Sequence, residues 1–576
     1  MPIQSVSLTR RQFMLSGAAA SALCYSADSG SAAQQSSHNH HLAGPSSDGF
    51  PFQHGVASGD PLHDRVILWT RITPPAGIQQ LQYRWRVASD VNFTELVAQG
   101  QGVTDLARDF TVKVDADGLS PGHSYYYLFE ALGQMSDIGR TRTLPQHHTE
   151  HLRIAFTSCS NYARGYFNVY KDIARRPDLD VVLHLGDYIY EYDNLEQSLS
   201  SGRLHQPAHE TLTLADYRQR HACYKRDNDL QQLHRQHPVI VIWDDHEVAD
   251  NAWGGFDLAT GRSGGAGNHQ AADGDWQGRL AAAVQAYMEW MPIREQHNDY
   301  GQRQIYRSFR FGDLLQLNML DTRLAGRDGP SDDPAIRDAQ QRTLLGYPQE
   351  RWLEQQLSDA QRDGVCWKLL GQQVMMAQFQ LNHSPLNHDQ WDGYPAARQR
   401  LFDHIRQANI DNFVVLTGDI HSSWALTLND DPFADQPGDN LGVELVTPAV
   451  TSPGIDNQTQ AALAAASLES LLPHLNFVDF YYRGYVLLDI TRERIQAEWW
   501  VVDNVQRPRY ASHCLRALVI PRGQAQLQPA PALTPAKPAA ALAPDFSPSF
   551  SYLRRWRGHT DHSLRSGLLA QQSTSL

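Results

Sequence analysis

The stretch "VIVIWDDHEVADN", Val239–Asn251, falls into two pieces. Five apolar residues, Val239 to Trp243, read as a strand buried on both faces. They run straight into Asp244, Asp245, His246 and Glu247. Carboxylates crowded at the end of a buried strand repel one another and are costly to desolvate. Either the cluster is a solvated loop, or positive charge sits among its members.

The same pattern recurs along the chain. "LRIAFTSCS", "DVVLHLGDYIY", "LLQLNMLDTR" and "NFVVLTGDIHSS" are apolar runs that also end in polar residues. Helix-like stretches such as "YFNVYKDIARR", "QERWLEQQLSDAQRDG" and "AARQRLFDHIRQAN" lie between them. Alternation of this kind over residues 150–510 predicts an α/β (α+β) domain, with sheets covered by helices and a site at the strand ends. Residues 49–145 read differently. Short runs such as "RVILWTRI", "LQYRWRVAS" and "SYYYLFEAL", separated by Gly, Pro and Asp turns, predict a small N-terminal β-sandwich. "LSPGHSYYYLFEA" resembles the entry to a late strand of a fibronectin-like sandwich.

The ends of the chain are of other composition. Arg10 and Arg11 precede the modest apolar run "MLSGAAASALC", which is too short to span a bilayer. The pattern is that of a twin-arginine (Tat) signal, assigned to residues 1–33 with cleavage after Ala33. Residues 34–48 read as a linker whose "HNHH" tract is flexible and exposed. Residues 521–576 begin Pro- and Ala-rich and continue as the basic, aromatic "YLRRWRGHTDHSLRSGLL". They read as a disordered tail or as an arm docked on the main domain. The export machinery is therefore an expected partner, with a periplasmic or secreted location and no transmembrane segment once the signal is removed.

Composition excludes some classes. The formal net charge is -14, so a broad nucleic-acid-binding role is not expected, nucleic acid as a substrate aside. The five cysteines form no CxxC pair and no disulfide-dense scaffold. "GRSGG", Gly261–Gly265, has the letters of a nucleophile elbow but no apolar strand before it. GxGxxG after the first strand and HExxH are both absent.

The strand-end residues form one candidate set: Cys159 in "TSCS", Asp187 and Tyr190 in "GDYIYEY", Asp245, His246 and Asn251 in "WDDHEVADN", and Asp419 and His421 in "GDIHSS". A helical turn after Asp187 would let Asp187 and Tyr190 reach one point. Extended backbone would put Asp419 and His421 on one face, about 7 Å apart. Carboxylate and amide oxygens suit hard cations; imidazole, phenolate and thiolate suit iron and its neighbours. The mixed set predicts more than one ion, with Asp187 as the bridge.

The order GD, (DD)HE, GDxH resembles the calcineurin-like metallophosphoesterases, in which GD, GNHE and GHxH build a two-metal site. Cys159, Asp245 and Asp419 depart from that series. The departures are similar to those of the PhoD-type alkaline phosphatases, as are "HGVASGDPLHDRVILWTR", "LGDYIYEY", "WDDHEVADN" and "LDTR". The resemblance implies a metallophosphoesterase-like two-sheet sandwich flanked by helices. It further implies one ferric ion (Fe3+) held by Cys159, Asp187, Tyr190 and His421. Two calcium ions (Ca2+) would be held by Asp187, Asp245 and Asp419, with Asn251 a further ligand. The implied reaction is phosphate-ester hydrolysis, on monoesters, diesters or both, by a metal-bound hydroxide or oxide. His246 would stabilise the transition state or protonate the leaving group, with Glu247 and Asp244 orienting it or fixing ligands. Arg323 in "LDTR" binds substrate phosphate or forms a structural salt bridge, and Arg164 is a weaker candidate for the phosphate role. The alternatives are a phospholipase D-like diesterase acting on phospholipid or polymer diesters, and a non-catalytic metal-binding protein.

Overall fold

The computed structural model describes residues 50–194, 201–256, 261, 263–297, 303–381 and 384–544. The predicted signal, the linker and the basic end of the C-terminal arm lie outside the described residues.

Two large sheets carry the fold. The first has ten strands in the order Gln528–Pro529, Ser512–Pro521, Arg494–Val502, Arg483–Thr491, His151–Thr157, Val181–His184, Pro238–Val241, Val56–Gly59, Val66–Arg71 and Thr111–Ala116. The second has seven: Arg307–Phe311, Leu315–Met319, Trp367–Gln372, Phe413–Thr417, Gly442–Val446, Ser423–Leu428 and Leu475–Asp479. The central strands of both sheets are parallel. One core joins them, packing Ile154, Leu183 and Ile240 of the first sheet with Leu317, Leu369 and Val414 of the second. The alternate residues Leu370 and Val415 face the other way, onto Leu353, Leu357, Leu401 and Phe402 of the helices Tyr347–Arg362 and Pro395–Gln407. Strands covered on both faces need the near-continuous apolar runs that this sequence has.

The N-terminal part departs from the predicted separate module. Its own sheet is built on Leu96–Asp105, Gln80–Ala88 and Ser124–Ala131. The layer facing that sheet is the end of the ten-stranded sheet. Leu68 and Val112 there pack against Val87, Tyr127 and Phe129. Val56–Gly59 runs parallel to Pro238–Val241, the strand of the opening motif. At the end of Val56–Gly59, buried Asp60 accepts from the Arg307 guanidinium at 3.0 and 2.6 Å and from the Arg294 amide at 2.8 Å. "HGVASGD" is therefore sheet and clamp for the main domain as much as part of a sandwich.

The C-terminal end of the main domain also lies further on than residue 510. Ser512–Pro521 pairs along Arg494–Val502. The Pro- and Ala-rich segment then docks, to the end of its described part at Pro544. Thr534 donates to Glu498, Arg153 donates to the Pro535 carbonyl, Lys537 pairs with Asp180, and Gln236 and Ala543 exchange hydrogen bonds at 2.9 and 2.8 Å. A segment too poor in apolar residues to fold alone is held here by its backbone groups together with the Thr534 and Lys537 side chains.

Five histidines, His54, His184, His221, His234 and His237, are buried. Burial lowers all five below the ordinary imidazole range, to about 3 for His184, His221 and His237. They stay neutral in the fold, whereas the unfolded chain takes up protons below about pH 6.5. Stability is thus unaffected by these groups above that pH and falls as pH drops below it, because only the unfolded chain then gains their protons. His221 stacks on Trp290 with a centroid distance of 6.3 Å, and neither ring nitrogen has a hydrogen-bond partner among the described residues. Thermal unfolding followed by circular dichroism between pH 7 and 4 should show a steady loss of midpoint temperature, with a shallower slope in His221→Phe. An unchanged slope in that variant would refute the assignment.

Candidate metal centre

The parallel strands of both sheets deliver their C-terminal ends to one crevice. Cys159 follows His151–Thr157, Asp187 follows Val181–His184, Asp244 and Asp245 follow Pro238–Val241, Arg323 follows Leu315–Met319, and Asp419 and His421 follow Phe413–Thr417. Gln373 joins the sheets there, donating to the Trp243 and Leu320 carbonyls at 2.7 and 2.8 Å. A parallel bridge between Ser158 and Ala449 closes the other side.

Glu247 sets the spacing. Its carboxylate accepts the backbone N–H groups of Asp187 (3.0 Å), Tyr188 (2.6 Å) and Asp244 (2.8 Å), so one side chain ties two strand ends together. Burial, then the Asp187 charge, push Glu247 well above the ordinary carboxylate range, against the pull of its amide donors. Such a cluster gains stability from any cation brought among its members.

Three groups of ligand atoms result, each within 4.8 Å: Cys159, Asp187 and His421; Asp187, Asp245 and His246; Asp244, Asp245 and Asp419. Asp187 belongs to the first two and Asp245 to the last two, so the groups form a row. Tyr190 joins the first, its hydroxyl 2.9 Å from Asp187 Oδ2 and 3.1 Å from His421 Nε2. Asn251 lies beside Asp245, its backbone N–H donating to Asp245 Oδ2 at 2.6 Å. Its Oδ1 is buried with no hydrogen-bond partner among the described residues. An amide oxygen in that state is suited to a hard cation. The donor types fit the implied ions: thiol, phenol and imidazole at one end of the row, oxygens at the other.

The local geometry that brings them together differs from that expected. Asp187 has φ +54°, and Asp419 and His421 have +66° and +56°, so neither a helical turn nor extended backbone aims these side chains. Cys159 (+63°) and Asn251 (+55°) are left-handed as well. Non-glycine residues in this region cost about 1–2 kcal/mol each and persist where the surroundings over-determine them. Sequence spacing carries no signal for such turns.

His246 is buried, with Nδ1 2.8 Å from Glu191 Oε2 and its ring 4.2 Å, centroid to centroid, from that of Tyr190. Burial opposes its charge, but Glu191, Asp245 and Asp187 outweigh burial and hold the imidazole well above its ordinary range. Glu191 also accepts the Asp250 amide and the Asn268 side chain, at 2.7 and 2.9 Å. It stands inside "GDYIYEY", where nothing local distinguishes it from an ordinary surface glutamate. Arg323 takes the salt-bridge alternative. Fully buried, it donates to Asp244 (2.5 Å), Asp419 (2.8 Å) and both oxygens of Asp389 (3.0 and 2.8 Å). A guanidinium engaged in this way holds carboxylates in place. Asp389 went unnoticed because no apolar strand precedes it in sequence. Arg164 ends a short 3-10 turn, Tyr162–Arg164, and its carbonyl accepts from Gln506. Ser263 of "GRSGG" opens a short hairpin strand, Ser263–Gly265, rather than a strand-to-helix turn.

Comparison with known proteins agrees with this architecture. A family model described as "PhoD-like phosphatase" matches residues 154–499, and one described as "PhoD-like phosphatase, N-terminal domain" matches residues 36–145. "Alkaline phosphatase D" of Bacillus subtilis (strain 168) is 38% identical over 508 residues, spanning 84% of this chain and 83% of that protein. A solved structure, "Structure of PhoD", superposes with a TM-score of 0.75 at 36% identity, covering 85% of this chain and 94% of that one.

Replacing Glu247 by Gln keeps the shape but puts N–H groups against backbone donors. Support residues of this kind typically change metal affinity by about 10–100-fold. Competition with a graded chelator series, read as metal retained per chain, should show a loss of that size. Wild-type retention would remove Glu247 from the centre.

Proposed function

The chain belongs to the PhoD-like phosphatase family and is a phosphoric ester hydrolase, and from that premise we propose an exported, metal-dependent enzyme acting on phosphate monoesters, diesters or both. The observation that carries the metal dependence is the row of three ligand groups sharing Asp187 and Asp245. Cys159, Asp187, Tyr190 and His421 would hold a ferric ion, and Asp187, Asp245, Asp419 and Asn251 two calcium ions. When bound, such ions supply Lewis acidity and charge neutralisation at the phosphoryl group. The chain's own residues do the rest. Glu191 fixes the His246 ring by its Nδ1, which leaves Nε2 to hold the proton for the leaving oxygen. Arg323 and Asp389 keep Asp244 and Asp419 from drifting apart.

A second reading, a phospholipase D-like diesterase, draws support from one surface feature. The helix Gln458–Leu471 begins six residues after Ser452, which touches Tyr190. It is mostly exposed, with Leu463 at 65% and Leu471 at 49%, and Glu469 is its one charged residue. An exposed, weakly charged helix joined to a site loop by a short link suits a substrate presented from a lipid surface.

Purified protein assayed on p-nitrophenyl phosphate, bis-p-nitrophenyl phosphate and phosphatidylcholine vesicles separates these readings. Chelation should abolish turnover, calcium with iron should restore it, and Asp187→Ala should lose it by at least the ~100-fold typical of lost catalytic groups. Hydrolysis that survives full chelation refutes metal dependence.

Export rests on Arg10 and Arg11. No helix among the described residues is long and apolar enough to cross a membrane. Replacing both arginines by lysine should leave the protein inside the cell, as shown by fractionation. Unchanged export would overturn the Tat assignment.

A further inference from the structure

Beside the phenol of Tyr190 sits the hydroxyl of Ser452, which is not one of the candidate ligands. Ser452 is fully buried in the loop after the Gly442–Val446 strand, and its Oγ lies 2.6 Å from Tyr190 Oη. The same Oγ is 2.9 Å from the Cys159 carbonyl. A hydroxyl has one proton, so it serves one of these acceptors at a time. The Cys159 carbonyl already receives the backbone N–H groups of Thr451 and Ser452, at 3.3 and 3.2 Å. The Ser452 proton is therefore available to Tyr190.

Asp187 and His421, which also lie against Tyr190 Oη, are poor donors to it. Asp187 Oδ2 accepts the phenol proton. His421 places Nδ1 3.2 Å from the Pro453 carbonyl, an acceptor, which puts its proton there and a lone pair on Nε2 toward Tyr190. The placement of Ser452 is held from several sides. The Val450 amide donates to the Ser158 carbonyl at 3.0 Å, and Thr451 Oγ1 donates to the Asn161 carbonyl at 2.7 Å. The hydroxyl has little freedom to leave.

We propose that Ser452 is a positioning residue that donates its hydroxyl proton to Tyr190 Oη when that oxygen ligates a cation, and so sets how strongly the phenolate gives electron density to it. The proposal rests on Tyr190 being a ligand of ferric iron. A hydrogen bond to an anionic ligand oxygen draws charge away from the metal and is stronger than a neutral one. Losing it makes the phenolate the better donor, which moves the phenolate-to-iron charge-transfer band to longer wavelength and makes the ferric ion harder to reduce.

Visible absorption of the iron-loaded protein reads this directly, with iron per chain measured alongside. The band should be present in wild type, absent in Tyr190→Phe, shifted to longer wavelength in Ser452→Ala, and shifted less in Ser452→Cys, whose thiol is a weaker donor of similar size. Ser452→Cys carries the test alone if the alanine variant does not fold. A band at the wild-type wavelength in iron-replete Ser452 variants overturns the proposal while leaving Tyr190 as ligand. A wild-type spectrum with no band sensitive to Tyr190→Phe overturns the ligand reading and this proposal together.

Discussion

The constraint on which the centre depends is the Glu247 carboxylate and the three backbone N–H groups that converge on it. It resolves the question raised by "WDDHE", where an acidic residue at a buried strand end looks costly. Here one of the carboxylates satisfies amide donors that the strands cannot, because each parallel strand has just ended. The neighbouring strand is thereby fixed in register, and Asp187 and Asp244 cannot separate without leaving those amides unpaired.

With that register set, the remaining ligands are aimed by strain and by cross-sheet contacts. Five of the twelve described non-glycine residues with positive φ are candidate ligands, which is far from a random placement. Cys159, Asp187, Asp419 and His421 turn within a few residues of a strand's end, and Asn251 turns in the loop that follows Pro238–Val241. Two sheets with a common core make this tolerable: Gln373 and the Ser158–Ala449 bridge hold the strand ends from both sides. Arg323, locked among Asp244, Asp419 and Asp389, then acts as a permanent cation in a row of carboxylates.

Much of this was legible in the sequence, and for a physical reason. Buried parallel strands are continuous apolar runs, and polar residues at their ends are the ones that reach a common crevice. Cys159, Asp187, Asp245, Asp419 and His421 could be selected on that basis. Ser452 and Asp389 could not, and Glu191, though inside "GDYIYEY", shows its role only through His246. Ser452 follows "VTPAVT", which ends no uninterrupted strand, and its position depends on the Ser158 and Asn161 carbonyls nearly 300 residues away. The Pro- and Ala-rich segment misled in the same way: its composition describes how it would behave alone, and its docking uses partners such as Arg153 and Glu498 from distant strands.

The N-terminal part shows where the line falls. Its strands, its turns and its Tyr-rich run were predictable from alternation and turn residues. That one of its layers is the edge of the main sheet was not, because pairing between Val56–Gly59 and Pro238–Val241 joins residues about 180 apart in sequence. By itself the sequence determined which residues are apolar enough to be strands and which chemistry sits at their ends, since both depend on local order. Only the tertiary structure decided which strand ends meet, which backbone turns left-handed, and whether Arg323 faces a substrate or a carboxylate. Those outcomes depend on packing two sheets over one core, which no local pattern encodes.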